Sequence, residues 1–381
     1  MVEASLYFIV YIAICWILVF TKILQSSSLP QGILTPKYGK EQFIKCLIII
    51  AFFILFFGLR PIDDLRGYMA DTYGYAQDYE ALQMGDPFAW TENPESKASK
   101  DFLFSTIMSY MASIGASVHL WLIVVAAIFL LPLVIVIKHW FPHNLSLSLL
   151  FTITYFGFYS GGINGIRNAD AISLFLLGMI FLSAKKLSLK GIVLGAVLCY
   201  CAYYFHQSSV ILIFSLLMSL FIVKNVKFAI IIWCAAIVFA LTMGNTLAEL
   251  SSIYFPDDRA EKYLMYGMEN EVTQAFSHTG FRWDFLLYST MPLLMGWYVL
   301  VKKGIRDHTY LIIVNTYILA NACWIIFMYA AFTNRFAALS WGLYPYVILY
   351  PLVRYNIWGK KQAVYTSYIL VLQLVFTSLF A

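Results

Sequence analysis

The chain has 381 residues, a formal net charge of +5, 61% hydrophobic residues and 12% charged ones, against about 25% charged in an ordinary soluble domain. A water-soluble fold is excluded, because it would lack surface polarity. The apolar residues fall in blocks of about 17 to 22, the length a helix needs to cross roughly 30 Å of hydrocarbon. The expected fold class is therefore all-α, a polytopic helical membrane protein with about 12 transmembrane helices.

Taken in order, the first block opens near Leu6 behind Glu3, with no Lys or Arg before it. A cleaved secretory signal begins with a basic stretch, so this block reads as a retained anchor with its N-terminus outside. Predicted spans are 4–21 and 43–59, and a long outer loop, 60–101, follows. In that loop Tyr68, Tyr75 and Tyr79 recur at helix-like spacing, which predicts a helix lying at the interface. The apolar stretch 102–117 is short and reads as a re-entrant or interfacial helix, since a further crossing would reverse the side of everything after it. Spans follow at 119–137, 145–161, 168–184, 191–206, 208–223 and 228–244. A second long outer loop, 245–283, carries Tyr254, Tyr263 and Tyr266 and predicts another interfacial helix. The last spans are 284–301, 309–331, 336–353 and 363–380, and with no internal repeat the chain reads as a single integral membrane domain, 1–381.

Charge supports this threading. The inner loops hold sixteen basic residues, Lys185, Lys186, Lys302 and Lys303 among them, against two acids, Glu41 and Asp307. Basic residues held in the cytoplasm set the orientation of a membrane protein, so the long loops, and any active site in them, lie outside.

Arginine departs from that pattern. Six of the eight arginines (Arg60, Arg66, Arg167, Arg259, Arg282, Arg335) fall outside, whereas of 17 lysines only Lys97, Lys100 and Lys262 do. The guanidinium is a planar, permanently charged fork that matches phosphate oxygens two at a time, so this face looks built for a fixed anion. Arg60, Arg167, Arg282 and Arg335 directly abut apolar blocks, where a charge is costly and usually has a purpose. Pairing with Asp71, Asp170 or Asp284 is the alternative for each, and Asp170 in particular is placed to neutralise Arg167.

The segment Ser160-Gly161-Gly162-Ile163-Asn164-Gly165-Ile166-Arg167-Asn168 brings three glycines, a helix start and an arginine together. Backbone amides, a positive dipole end and a guanidinium could converge there on phosphate, or the segment could be a tight turn between spans. His206 sits at an outer corner between two apolar blocks, able to take a proton from a sugar hydroxyl or simply to cap the corner. The six cysteines lie in or beside apolar blocks and read as packing residues. Asp63-Asp64 and Asp257-Asp258 are adjacent pairs without metal-ligand spacing, so no metal and no cofactor is expected.

Gly58-Leu59-Arg60, Asp71-x-x-x-Tyr75, Asn164-Gly165-Ile166-Arg167-Asn168, Phe205-His206-Gln207-Ser208 and Asn334-Arg335-Phe336, in that order, resemble the signposts of EpsG-like, Wzy-type bacterial polysaccharide polymerases. The resemblance spans most of the chain, and departs from the family at Asn168, where Gln is commoner, and at Asp170. It implies a metal-independent glycosyltransferase of the bacterial cytoplasmic membrane, acting on its outer face, that joins undecaprenyl-diphosphate-linked oligosaccharide units into O-antigen, capsule or exopolysaccharide. Arg60, Arg167, Arg282 and Arg335 would then hold the diphosphate, His206 or Asp71 would be the base, and Asn164, Tyr75 and Asn334 would support them. Tyr68 and Trp90 are candidates to pack on sugar rings. The implied partners are the lipid-linked oligosaccharide, membrane lipid, and a chain-length regulator and flippase of the same pathway, with no nucleic acid. Two rival readings remain open: a lipid-glycan flippase or transporter, and an envelope polysaccharide ligase or acyltransferase.

Overall fold

The computed structural model describes residues 2–29, 31–36, 39–62, 69–85, 101–254, 280–329 and 333–380. Among them the regular structure is helical: α1 Val2–Ser26, α2 Lys40–Gly58, α3 Ala70–Gln83, α4 Phe102–Ser113, α5 Val118–Trp140, α6 Leu145–Ile153, α7 Phe156–Ile163, α8 Ile166–Leu182 and α9 Leu189–Phe205. After these come α10 Val210–Phe221, α11 Val226–Tyr254, α12 Trp283–Trp297, α13 His308–Ile326, α14 Thr333–Trp341, α15 Tyr344–Arg354 and α16 Gln362–Phe380. Eight segments of the described residues are long and apolar enough to cross a bilayer: α1, α2, α5, α11 as far as Gly244, α12 with the turn after it, α13, α14 running into α15, and α16 with the turn before it. The protein is a multi-pass helical membrane protein. Most of the loop 245–283, with Tyr263 and Tyr266, lies outside the described residues, as do Arg66, Arg259, Tyr68, Trp90 and both adjacent acidic pairs.

Three expectations are refined. The stretch 102–117 forms α4, whose 12 residues span about 18 Å and fall short of a crossing. The loop 60–101 contains the expected helix, α3, whose buried residues Thr72, Tyr75, Ala76 and Tyr79 repeat at the three-and-four spacing of one helix face. The predicted span 145–161 is two helices, α6 and α7, broken at Thr154 and Tyr155.

The chain divides into two compact units, residues 1–209 with 349–381, and residues 210–348. In the first, α8 packs along α9 and α5, and α5 along α2. Small residues set these approaches: a side chain at Gly178 would meet the Gly195 carbonyl oxygen at 3.0 Å, and one at Gly58 would collide with Ile123 on α5. Ser117 caps α5, its hydroxyl accepting from Leu120 N at 3.2 Å.

The break between α6 and α7 frees carbonyls that a continuous helix would use. Side chains from neighbouring helices take them: Tyr11 donates to the Ile153 oxygen at 2.5 Å, Gln373 to Phe151 at 2.9 Å and Thr377 to Thr154 at 2.8 Å. Such a break is tolerable at membrane depth because it is buried in protein that satisfies it.

In the second unit α13 is the central helix, with Tyr310, Ile313, Tyr317, Ala320 and Trp324 fully buried. Three of its polar residues bond to its neighbours. Asn315 donates to the Val223 oxygen at 2.7 Å, Asn321 to Ser340 Oγ at 3.0 Å, and Tyr317 to the Ser289 oxygen at 2.7 Å. Each closes a buried polar group and pins α13 to a different partner.

Candidate active site

One end of the first unit collects the C-terminal ends of α2 and α9 and the N-terminal ends of α3, α4 and α8, and most of the unusual residues lie there. His119 at the start of α5 marks the same end, its Nδ1 lying 3.2 Å from the Gly58 oxygen that closes α2.

Arg167 enters from the first turn of α8. Its Nε donates to the Tyr75 hydroxyl at 2.8 Å, and its Nη1 donates to Asp101 Oδ2 in an ion pair. The rings of Tyr75 and Phe104 lie 5.4 and 5.8 Å from the guanidinium carbon, within reach of a cation–π attraction. Asp71, one turn before Tyr75 on α3, adds its negative charge to the field on Arg167.

Asp101 is the centre of the cluster. It stands at the N-cap position of α4, yet its side chain caps nothing there; the turn is closed by its backbone oxygen, which accepts from Ser105 N at 3.0 Å. The carboxylate faces Arg167 through Oδ2, while Oδ1 lies 3.4 Å from His206 Nδ1 and accepts from Gln207 N at the same distance. A carboxylate is acceptor-only when ionised, so the imidazole presents its Nδ1–H to it. Side-chain exposure falls from 18% at His206 and 14% at Arg167 to 3% at Asp101. The charge is therefore held out of water at Asp101, and the cluster opens to its surroundings at the guanidinium and the imidazole.

The acid that neutralises Arg167 is thus Asp101, and Asp170 has another setting. Asp170 is fully buried, and neither carboxylate oxygen has a hydrogen-bond partner among the described residues. The charge acting on it is that of Arg60.

Arg60, 1% exposed, braces the glycine segment. Its Nη1 donates to the Phe57 and Gly162 oxygens at 2.7 and 2.9 Å, and its Nε donates to Thr72 Oγ1 at 3.0 Å. Thr72 passes the connection on, donating to the Ile163 oxygen at 2.6 Å. Burial pulls the Arg60 guanidinium down to about 10, still charged at neutral pH.

The glycine segment itself is a packed turn. A Cβ at Gly162 would stand 2.6 Å from the Phe57 ring, and the amides of Asn164 and Gly165 both turn back to the Ser160 oxygen, at 2.9 and 2.7 Å. The glycines here serve close packing and a tight reversal, which sets the start of α8 and so the root of Arg167.

The remaining expected residues lie in the second unit. Arg282, before α12, donates from Nε and Nη2 to Asp284 at 2.9 and 2.6 Å and lies 3.7 Å over the Phe285 ring. This is the local acid pairing that the sequence left open. Arg335 is half-buried in the first turn of α14, and Asn334 beside it is exposed. Trp324 donates to Thr333 Oγ1 at 2.8 Å, fixing that first turn against the end of α13.

Of the expected residues, the first unit brings Arg167, Tyr75, Asp71 and His206 into one cluster, holds Arg60 and Asn164 just beneath it, and adds Asp101. The sequence signal for Asp101 is of the same kind as that for the arginines: a lone acid abutting an apolar block. The model of the EpsG family matches residues 43–381. No curated protein and no solved structure matches.

Proposed function

Because the chain belongs to the EpsG family, we propose that it is a polysaccharide polymerase, a membrane glycosyltransferase that joins oligosaccharide units carried on undecaprenyl diphosphate at the outer face of the bacterial cytoplasmic membrane. The observation that carries this reading is the Arg167–Asp101–His206 cluster, which sets a fixed cation and a proton acceptor side by side at one end of a helical bundle. A lipid diphosphate has an anion at the interface, a tail in the bilayer and a glycan in water, and such a cluster meets it at the anion. The lysine-rich loops at the opposite helix ends favour the outward orientation.

In the proposed reaction the acceptor hydroxyl loses its proton to His206 Nε2 and its oxygen bonds to the anomeric carbon of the donor glycan. The bond from that carbon to the diphosphate oxygen breaks, and the electron pair leaves with the lipid diphosphate. Arg167 holds the charge that develops there, in a site largely shielded from water where such a contact is strong. The reaction draws on no metal: the charge stabilisation comes from a guanidinium. Arg60 acts one step back, keeping the α7–α8 turn in place. Arg282 and Arg335, in the second unit, are separate candidates to bind an anion, each tested by its exchange for lysine.

Supplying purified protein with lipid-linked repeat units tests the assignment. A ladder of lipid-linked lengths supports a polymerase. A single addition indicates a ligase, and lipid-linked units moved across a vesicle without covalent product indicate a flippase.

A further inference from the structure

The first unit holds a cavity of about 510 Å³ far from the Arg167 cluster, where three connectors meet: α1 to α2, α5 to α6, and α15 to α16. That volume is within the range of pockets that take small ligands. Helix α5 gives its position. It runs from His119, beside the candidate active site, to Trp140, whose carbonyl oxygen accepts from Arg354 Nη2 at 2.9 Å on the cavity wall. Roughly 30 Å of helix lies between the two, about the thickness of the hydrocarbon, so the cavity and the Arg167 cluster occupy opposite ends of the unit.

The wall is fixed by its own bonds. Gln362, buried at the start of α16, accepts from Ile357 N and Trp358 N at 2.6 and 3.1 Å and donates to the Leu352 oxygen at 2.6 Å. The α15–α16 connector is thereby locked around one side chain. Gly32 brings the α1–α2 connector against it: a Cβ there would stand 3.1 Å from that of Ala363. Arg354 and Lys360 line the cavity and no acidic residue does. Among the described residues no ion pair engages either cation. Trp140 takes one donor of the Arg354 fork, and the Tyr350 ring lies 5.1 Å from its guanidinium carbon. The other donors are left for a ligand, and Asn144 and Asn356 add side-chain amides.

The surroundings are apolar on the membrane side. Leu34 and Pro36 complete the rim, and from Val364 the exposed face of α16 continues through Tyr368, Leu372 and Leu379 along a membrane-spanning segment. A soluble phosphate would meet the cations but leave this apolar surface uncovered, whereas a phospholipid covers both.

We propose that this cavity binds the phosphate headgroup of an anionic glycerophospholipid, whose acyl chains lie along the Val364 face of α16. The charge-based threading puts it in the cytoplasmic leaflet, where basic pockets between helices recognise such headgroups. The lipid ties the three connectors together and stabilises that end of the unit, independently of the reaction proposed at the other end.

The test is thermal unfolding of the full chain in neutral detergent, titrated with short-chain phosphatidylglycerol, phosphatidylcholine of the same chain length, or glycerol phosphate. Phosphatidylglycerol should raise the melting temperature at lower concentration than phosphatidylcholine, and glycerol phosphate should have no effect. Lys360→Gln, an exchange at an exposed position, should raise the half-saturating phosphatidylglycerol concentration about fivefold, the effect of one basic residue near an anionic headgroup. Arg354→Gln should raise it at least as much, measured against that variant's own baseline, since it also loses the Trp140 bond. Exchange of both Lys185 and Lys186 for Gln, exposed in the α8–α9 connector and outside the cavity, should change nothing. Equal stabilisation by the two lipids, or an unchanged titration in Lys360→Gln and Arg354→Gln, overturns the site. So does an equal loss in the Lys185 and Lys186 variant, which would mark general surface attraction, and stabilisation by glycerol phosphate equal to that by the lipid would mark a soluble anion instead.

Discussion

Arg60 Nη1 donates to the Gly162 carbonyl oxygen at 2.9 Å, tying the end of α2 to a turn 102 residues further along the chain. Together with the bonds to Phe57 and Thr72, this makes Arg60 a buried brace. Arg60→Leu should strand two carbonyls and a hydroxyl and cost about 3 kcal/mol or more, since each buried unsatisfied group costs roughly 1–3 kcal/mol. Arg60→Lys should recover only part of this, because one ammonium cannot reproduce the angular spread of the fork. Thermal unfolding in detergent checks both, and a melting temperature unchanged in Arg60→Leu would contradict the brace.

Gly162 is the partner surface of that brace. A methyl group there would stand 2.6 Å from the Phe57 ring, so Gly162→Ala should cost about 1–3 kcal/mol through overpacking. Phe57→Leu in the same chain should return part of the loss, which a double-mutant cycle measures. Additive effects would show that the two sites do not touch.

The break between α6 and α7 makes a separate prediction. Gln373→Leu removes the donors to the Phe151 oxygen and Thr154 Oγ1, and Thr377→Val removes the donor to the Thr154 oxygen. Each should destabilise the protein by about 1–3 kcal/mol, detectable in the same unfolding assay. Stability at the wild-type level in both would mean that the freed carbonyls have other donors.

How much of this was legible in the chain depended on the range of the contact. Apolar blocks and helix-period tyrosines are local signals, and they located α1, α2, α3 and α5 and the short α4 correctly. Arg167 and His206 stood out because each interrupts or ends such a block. Asp101 abuts a block in the same way, but its role lies in partners 66 and 105 residues away, and no periodicity links them. Arg60 was visible as a buried-edge arginine, but whether its donors meet phosphate or backbone depends on the packing of Gly162 against Phe57. The α6–α7 break had a signal that went unused: Thr152 and Thr154 within one apolar block, and Gln373 and Thr377 within another.

Topology can be tested without any assay of activity. In a cysteine-free background, Gln77→Cys on the exposed side of α3 should react with a membrane-impermeant thiol reagent added to intact cells, and Leu187→Cys between α8 and α9 should not. The reverse pattern would place the Arg167 cluster in the cytoplasm and remove the proposed outer-face reaction.

The central claim is that the Arg167 guanidinium grips the diphosphate of a carrier lipid through paired bonds that a lysine cannot make. The most direct test is the polymer length distribution made by Arg167→Lys in membranes carrying wild-type amounts of the protein. The account predicts that polymer falls by roughly 100-fold or more, the typical effect of removing one transition-state donor, while the variant stays folded because lysine still neutralises Asp101. A wild-type ladder from that variant would contradict it.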